Sequence, residues 1–175
     1  QHPFVQKAIP LAFGDNYRGY KILGTTPDYL EKYGAKIAEG KLFEKNFEVV
    51  IGSDIAKKLS LKIGDEFFGS HGDAAEGEVH DHYGYKVVGI AKPTGKVVDN
   101  LILCTIPSVW QMHGGHEKVE NPAHGEEGHV HVEGEEHHEE ADMTLDEPGM
   151  EITAVLLKFR NKMGIVTWPR IIAQN

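Results

Sequence analysis

Apolar and polar positions along this chain fall into short runs that glycine and proline punctuate. Tyr17-Arg18-Gly19-Tyr20-Lys21-Ile22-Leu23-Gly24 is rich in β-favouring side chains and stops at glycine, which predicts a strand. Pro27 suits the first turn of a helix running through Tyr33, and Gly34 is its expected C-terminal stop. Glu39-Gly40-Lys41 reads as a turn. Phe47-Glu48-Val49-Val50-Ile51-Gly52 predicts a second strand, and Ser53 is placed to cap a helix over 54–59 whose Ile55 and Leu59 share one stripe. Residues 61–68 turn at Gly64-Asp65 and enter a third strand. Residues 83–90 and 97–105 predict two more, 107–113 a short helix, 151–159 a returning strand and 167–173 a final helix.

Short strands interleaved with short helices, without a strict βαβ rhythm, predict an α+β fold: a small mixed sheet with short helices. Two stretches interrupt the rhythm. Residues 69–83 separate two strands and contain His71, His80 and His82, and residues 113–149 separate a helix from the last strand. By composition both are insertions, so the expected organisation is a scaffold of 1–112 plus 150–175, decorated at 113–149 and, on a smaller scale, at 69–83. Loops of such length in a compact domain usually carry function or lack structure of their own.

Charge sharpens that division. Residues 112–149 hold twelve Asp or Glu, one Lys and seven His, a formal −11, so the rest of a chain of net −9 sums to +2. A near-neutral scaffold is joined to a concentrated set of potential metal ligands. The net negative balance and the lack of a basic stripe argue against nucleic acid, or an anionic membrane surface, as the main ligand. No run of about 20 apolar residues spans a membrane, and no leader opens the chain. Gln1 and the unfinished helical pattern before Asn175 read as a piece of something longer. Cys104, the single cysteine, lies in an apolar strand and is expected to be an inert core residue. Tyr29 and Trp110 are expected to pack in the core, His2 to lie at the surface, and Trp168 with Arg170 to suit a membrane interface.

Catalytic patterns are missing. There is no G-x-x-x-x-G-K-[ST] phosphate loop, so any ATPase must be another chain. His116-Glu117 is not followed by a histidine at Glu120, which removes the H-E-x-x-H zinc motif. After His80-Asp81-His82, Gly84 and Tyr85 stand where a hydrolase site would need Asp and His. No G-x-S-x-G elbow occurs. The chain is not expected to be an enzyme.

The scaffold resembles the periplasmic core domain of MacB/FtsX-like ABC transporter permeases, including the lipoprotein-release branch. Four segments carry the likeness. They are residues 20–30, with Gly24-Thr25-Thr26-Pro27-Asp28-Tyr29; residues 38–43, with Gly40-Lys41-Leu42-Phe43; residues 49–59 followed by Lys62-Ile63-Gly64-Asp65; and Tyr85-Lys86-Val87-Val88-Gly89-Ile90 with 101–110. Together they cover most of 17–112, with 151–159 as the closing strand. The resemblance implies a domain between the first and second membrane helices of a permease, on the non-cytoplasmic side. It implies a dimer with a second permease subunit and a separate cytoplasmic ABC ATPase. ATP-driven motion would be relayed to a periplasmic protein or a lipoprotein substrate, with no covalent chemistry and no required cofactor. The alternative is a periplasmic metal-binding or metal-sensing protein without a transport role.

Imidazole is the commonest protein metal ligand, and carboxylates complete or orient such sites. His113 and His116 would share one helical face. In His129-Val130-His131-Val132-Glu133 an extended chain aims His129, His131 and Glu133 to one side, and His80 and His82 repeat the pattern. His137 and His138 add two more donors. About four N, O or S ligands close a tetrahedral zinc site, and this donor set suits Zn²⁺ or another divalent transition metal. The competing reading is a solvated acidic loop that binds metal adventitiously. If the ligand reading holds, replacing His129 and His131 together by Ala weakens zinc about tenfold or more in a calorimetric titration; unchanged affinity removes both residues from the ligand set.

Overall fold

The computed structural model describes residues 3–70, 83–114 and 151–173. Its elements run β1 (Val5–Tyr17), β2 (Tyr20–Gly24), α1 (Asp28–Tyr33), β3 (Ile37–Gly40), β4 (Glu48–Ile51), α2 (Ser53–Leu59), β5 (Glu66–Phe67) and β6 (Tyr85–Ala91). A 3₁₀ turn (Val97–Asn100) leads into β7 (Leu101–Cys104), α3 (Ile106–Gly114), β8 (Ala154–Phe159) and α4 (Lys162–Ile172). The strands form one mixed sheet in the order β3-β6-β4-β7-β2-β1-β8, with β5 pairing β6 beside that path. β4/β6 and β2/β7 are parallel; the other pairs are antiparallel. The α+β expectation holds.

The central strands are apolar on both faces, as a sheet covered on both sides requires. Successive residues point to opposite faces, and the core divides accordingly. Ile22, Val49, Ile51, Val87, Ile102 and Cys104 pack on one side with Ile55 of α2 and with Val109 and Met112 of α3. Their neighbours Leu23, Val50, Val88 and Leu103 pack on the other, with Tyr29 and Leu30 of α1 and Val98 of the 3₁₀ turn. Each fully buried aliphatic side chain contributes about 1.5–3 kcal/mol.

Several local expectations need correction. β1 was not foreseen: its alternation is weak, only four of thirteen positions are buried, and Pro10 sits inside it. Residues 37–40 form a strand on β6 and not merely a turn. Of 97–105, only 101–104 is extended, because the Asp99 carboxylate accepts the Thr94 hydroxyl and the N–H groups of Thr94 and Gly95 at 2.7–3.0 Å, which folds the approach into the 3₁₀ turn. Ser53 does not cap α2. It lies inside the helix with its hydroxyl buried and unpaired, while Gly52 holds the cap position. Gly52 is there because the Val98 and Asp99 carbonyls approach so closely that a Cβ would sit 2.3 Å from each. α4 starts at Lys162, earlier than predicted, where Gly164 lets the helix press on the Phe159 ring. Gly34 does end α1, at φ 69°.

Two predictions follow from this packing. Gly52→Ala lowers unfolding free energy by about 1–3 kcal/mol through overpacking, whereas Gly84→Ala, whose Cβ would meet only the Phe68 ring at 3.5 Å, stays within about 0.5 kcal/mol in urea titrations. Asp99 is buried, which by itself would raise its pKa, but hydrogen bonds from the Thr94 hydroxyl and the Thr94, Gly95 and Lys96 N–H groups hold it below the usual carboxylate range. A lowered folded pKa gives stability that is full above the unfolded value, near 4, and is lost as pH falls through the folded value. Asp99→Asn therefore costs about 1–3 kcal/mol at neutral pH, and the difference from wild type shrinks in urea titrations below about pH 4.

Candidate functional site

β1 links the outer strand β8 to the rest of the sheet. Over Val5–Leu11 it pairs with β8, Val5 facing Phe159 and Leu11 facing Ala154; over Ala12–Tyr17 it pairs with β2 on its other edge. At about 3.3 Å per residue its thirteen residues reach roughly 40 Å. The start of β1 and the end of β8 therefore lie side by side at one pole, where the Arg160 N–H donates to the Phe4 carbonyl at 3.0 Å. The Lys7 ammonium pairs with Asp28 at 2.8 Å and Glu31 at 2.9 Å, tying this half of β1 to α1. Those bonds, to Asp28 first and then Glu31, hold the Lys7 pKa above its ordinary value. The Thr25 hydroxyl donates to the Pro10 carbonyl at 2.9 Å, a second tie.

The opposite half of β1 anchors the bounds of both histidine-bearing segments. Ser70 exchanges backbone hydrogen bonds with Asn16 at 2.9 and 3.1 Å. Tyr83 stacks on Phe47 with ring centroids 4.8 Å apart. Trp110, half-buried on α3, donates its indole N–H to the Glu151 carbonyl at 3.0 Å, and the Thr153 hydroxyl accepts the Phe13 N–H. The described residues flanking 71–82 and 115–150 thus attach to the half of the sheet remote from the Val5–Phe159 pole.

His80, His82, His116, His129, His131, Glu133, His137 and His138 lie outside the described residues. His113 falls in the last turn of α3. Among the described residues no group of three or more His, Cys, Asp or Glu could hold a metal ion. Cys104 is fully buried and its thiol is pushed well up by desolvation, as an inert core residue should be. Tyr29 is a core residue as expected. Trp110 is less buried than expected and acts as a clamp on Glu151. Sequence reasoning missed β1, in which Lys7 and Pro10 break the alternation a strand would show.

A profile of the MacB-like periplasmic core domain matches residues 1–136. The chain belongs to the MacB-like periplasmic core domain family. It is thus the periplasmic-type domain of a MacB/FtsX-like ABC transporter permease. The match includes β1 through α3; β8 and α4 lie beyond it. Among solved structures, the chain is similar to the extracellular domain of the noncanonic ABC-type transporter YknZ from Gram-positive bacteria, at 9% identity and a TM-score of 0.54, covering 94% of this chain and 71% of that one. At that identity the likeness speaks to fold. It is also similar to the periplasmic region of MacB from Actinobacillus actinomycetemcomitans (14% identity, TM-score 0.47, 66% of this chain and 55% of that one). A domain of a permease protein from Porphyromonas gingivalis matches at 19% identity and a TM-score of 0.43, over 60% of this chain and 52% of that one. The chain spans about half the length of these last two. No curated protein matches the MacB-family chain by sequence. No helix among the described residues is long and apolar enough to cross a membrane.

The shared pole has a direct test. Ala8 and Leu157 face each other across the β1–β8 pair. Ala8→Cys with Leu157→Cys is expected to form a disulfide on mild oxidation, read as the loss of two thiols, while Ala8→Cys with Val155→Cys, two residues out of register, does not.

Proposed function

We propose that this domain is a mechanical relay: it transmits ATP-driven motion of a cytoplasmic ABC ATPase, through the permease of which it is part, to a periplasmic partner or a lipoprotein substrate. The observation that carries the proposal is the pairing of Val5 with Phe159 at one pole. A push delivered there acts on two hydrogen-bonded strands at once. β1, shifting register once against β8 and once against β2, continues into the centre of the sheet, where β2 and β7 share the core with α2 and α3. Backbone hydrogen bonds and close-packed side chains transmit displacement because the interior has little free volume. The partner-facing end is then the opposite half of β1, beside the anchors of the two histidine-bearing segments. Loops carried on a rigid scaffold are where recognition residues concentrate.

A relay needs neither a reactive side chain nor a cofactor, and the domain acts without covalent chemistry of its own. Action as a dimer with a second permease subunit fits the same reading. Divalent metal bound by the histidines of 113–149 would act as a modulator at the partner-facing end, not as a catalytic centre. Family membership and the shared pole favour the relay over a free periplasmic metal-binding protein.

The proposal is tested in the intact permease with its ATPase. A fluorophore on Lys57→Cys, exposed on α2, reports energy transfer to a dye in the bilayer. ATP is expected to change that transfer in the wild-type background. A Gly-Ser-Gly-Ser insertion between Phe4 and Val5 abolishes the change while ATP hydrolysis continues. An ATP-dependent signal that persists with the insertion, or none in the wild-type background, rejects the relay.

A further inference from the structure

The two ends of the sheet are finished differently. β3 closes one end as a protected edge: it has four residues, includes Glu39, and shifts register between Ile37 and Glu39. Short, charged, irregular strands of this kind resist further pairing. β8 closes the other end with only one of those devices, the charge of Lys158, in a longer strand. Its six residues, Ala154-Val155-Leu156-Leu157-Lys158-Phe159, contain no proline and one charge, and it is paired only to β1 among the described residues. Its outer backbone groups therefore present a template for another strand.

α4 beside it is also only half partnered. Gly164 and Trp168 meet Phe159. Met163, Ile165, Val166 and Ile172 remain between 59 and 63% exposed, and Val155, on the same face of β8 as Phe159, is 52% exposed. Charge adds a third feature. From Ile152 to Asn175 the chain contains Lys158, Arg160, Lys162 and Arg170 and no Asp or Glu, in a molecule of net −9. None of the four forms an ion pair among the described residues.

We infer that the β8 edge and α4 together form a docking site for an extended polypeptide segment in which apolar and acidic residues alternate. The segment adds a strand to β8, lays its apolar side chains against Val155 and α4, and sets its carboxylates on the opposite face, the face of Lys158. Each part answers one unmet need: backbone pairing, cover for apolar surface, and countercharge. A bilayer would meet the second and third but not the first, since an open sheet edge finds no hydrogen-bond partners in hydrocarbon. Arg170 also falls within the exposed apolar surface of α4, between Val166 and Ile172, unlike the sorted faces of an interfacial helix. The inference does not rest on the relay reading: it concerns the outer edge of β8, whereas that reading rests on the inner edge paired to β1.

The test uses the 175-residue chain and, as probe, a short acetylated peptide alternating valine and glutamate. Bound peptide is expected to slow amide exchange along β8, which is fast at its outer edge in the free chain. Lys158→Glu with Arg160→Glu weakens the peptide about threefold to tenfold and shifts preference to the valine–lysine counterpart. Ile165→Asp with Val166→Asp, both at exposed positions, weakens it about tenfold. Absence of peptide binding, or binding that leaves β8 exchange unchanged, overturns the inference. So does capture of the chain by equimolar phosphatidylcholine–phosphatidylglycerol vesicles that the Ile165 and Val166 changes abolish while peptide binding is unaffected. Self-association of the chain that excludes the peptide assigns the edge to a second copy and equally overturns it.

Discussion

β1 hydrogen-bonds to β8 along its first half and to β2 along its second, on opposite edges, and among the described residues no other strand joins those two neighbours. Everything peripheral is referred to that strand. α1 is held to it through Lys7 and Thr25, α3 presses Val109 toward Gly14 of β1 and Gly24 of β2, and Ser70 is fixed to Asn16 near its far end. Loss of the β1–β8 register would separate the pole from the centre without disturbing β4, β6 and β7. The central strands would keep their pairing, but the outer strand would no longer be tied to them.

The alternation of core residues makes the centre stiff. Because Val49 and Ile51 face one layer and Val50 the other, neither layer can slide without moving the strands that fill both. The glycines at strand margins serve this density by letting carbonyls approach, as at Gly52. Such packing leaves the two layers little room to shift past each other.

Much of this was legible in the residues. Gly34 closing α1, the two-faced apolar run of β4, the buried strand around Cys104 and the MacB-type order of segments all rest on local chemistry that tertiary contacts merely reinforce. What escaped shares a cause. β1 is half-exposed and interrupted by Pro10, so its extended form comes from β8, with which it pairs from Val5–Phe159 to Leu11–Ala154, rather than from its own pattern. The 3₁₀ turn before β7 depends on where one carboxylate, Asp99, finds its donors. Ser53 looks like a cap by type, but the close carbonyls gave the position before it to Gly52. The histidines chosen from spacing as metal ligands lie, apart from His113, outside the described residues. Their spacing says which donors are available, and only a fold could say which of them meet.

Cys104 offers a practical consequence. Sealed between β2 and β4 side chains, with a thiol that burial keeps protonated, it is chemically silent toward reagents that need a thiolate. The wild-type chain is therefore already a clean background for site-directed probes: a cysteine introduced anywhere on the surface is the one that reacts, and no core substitution is needed to make it so.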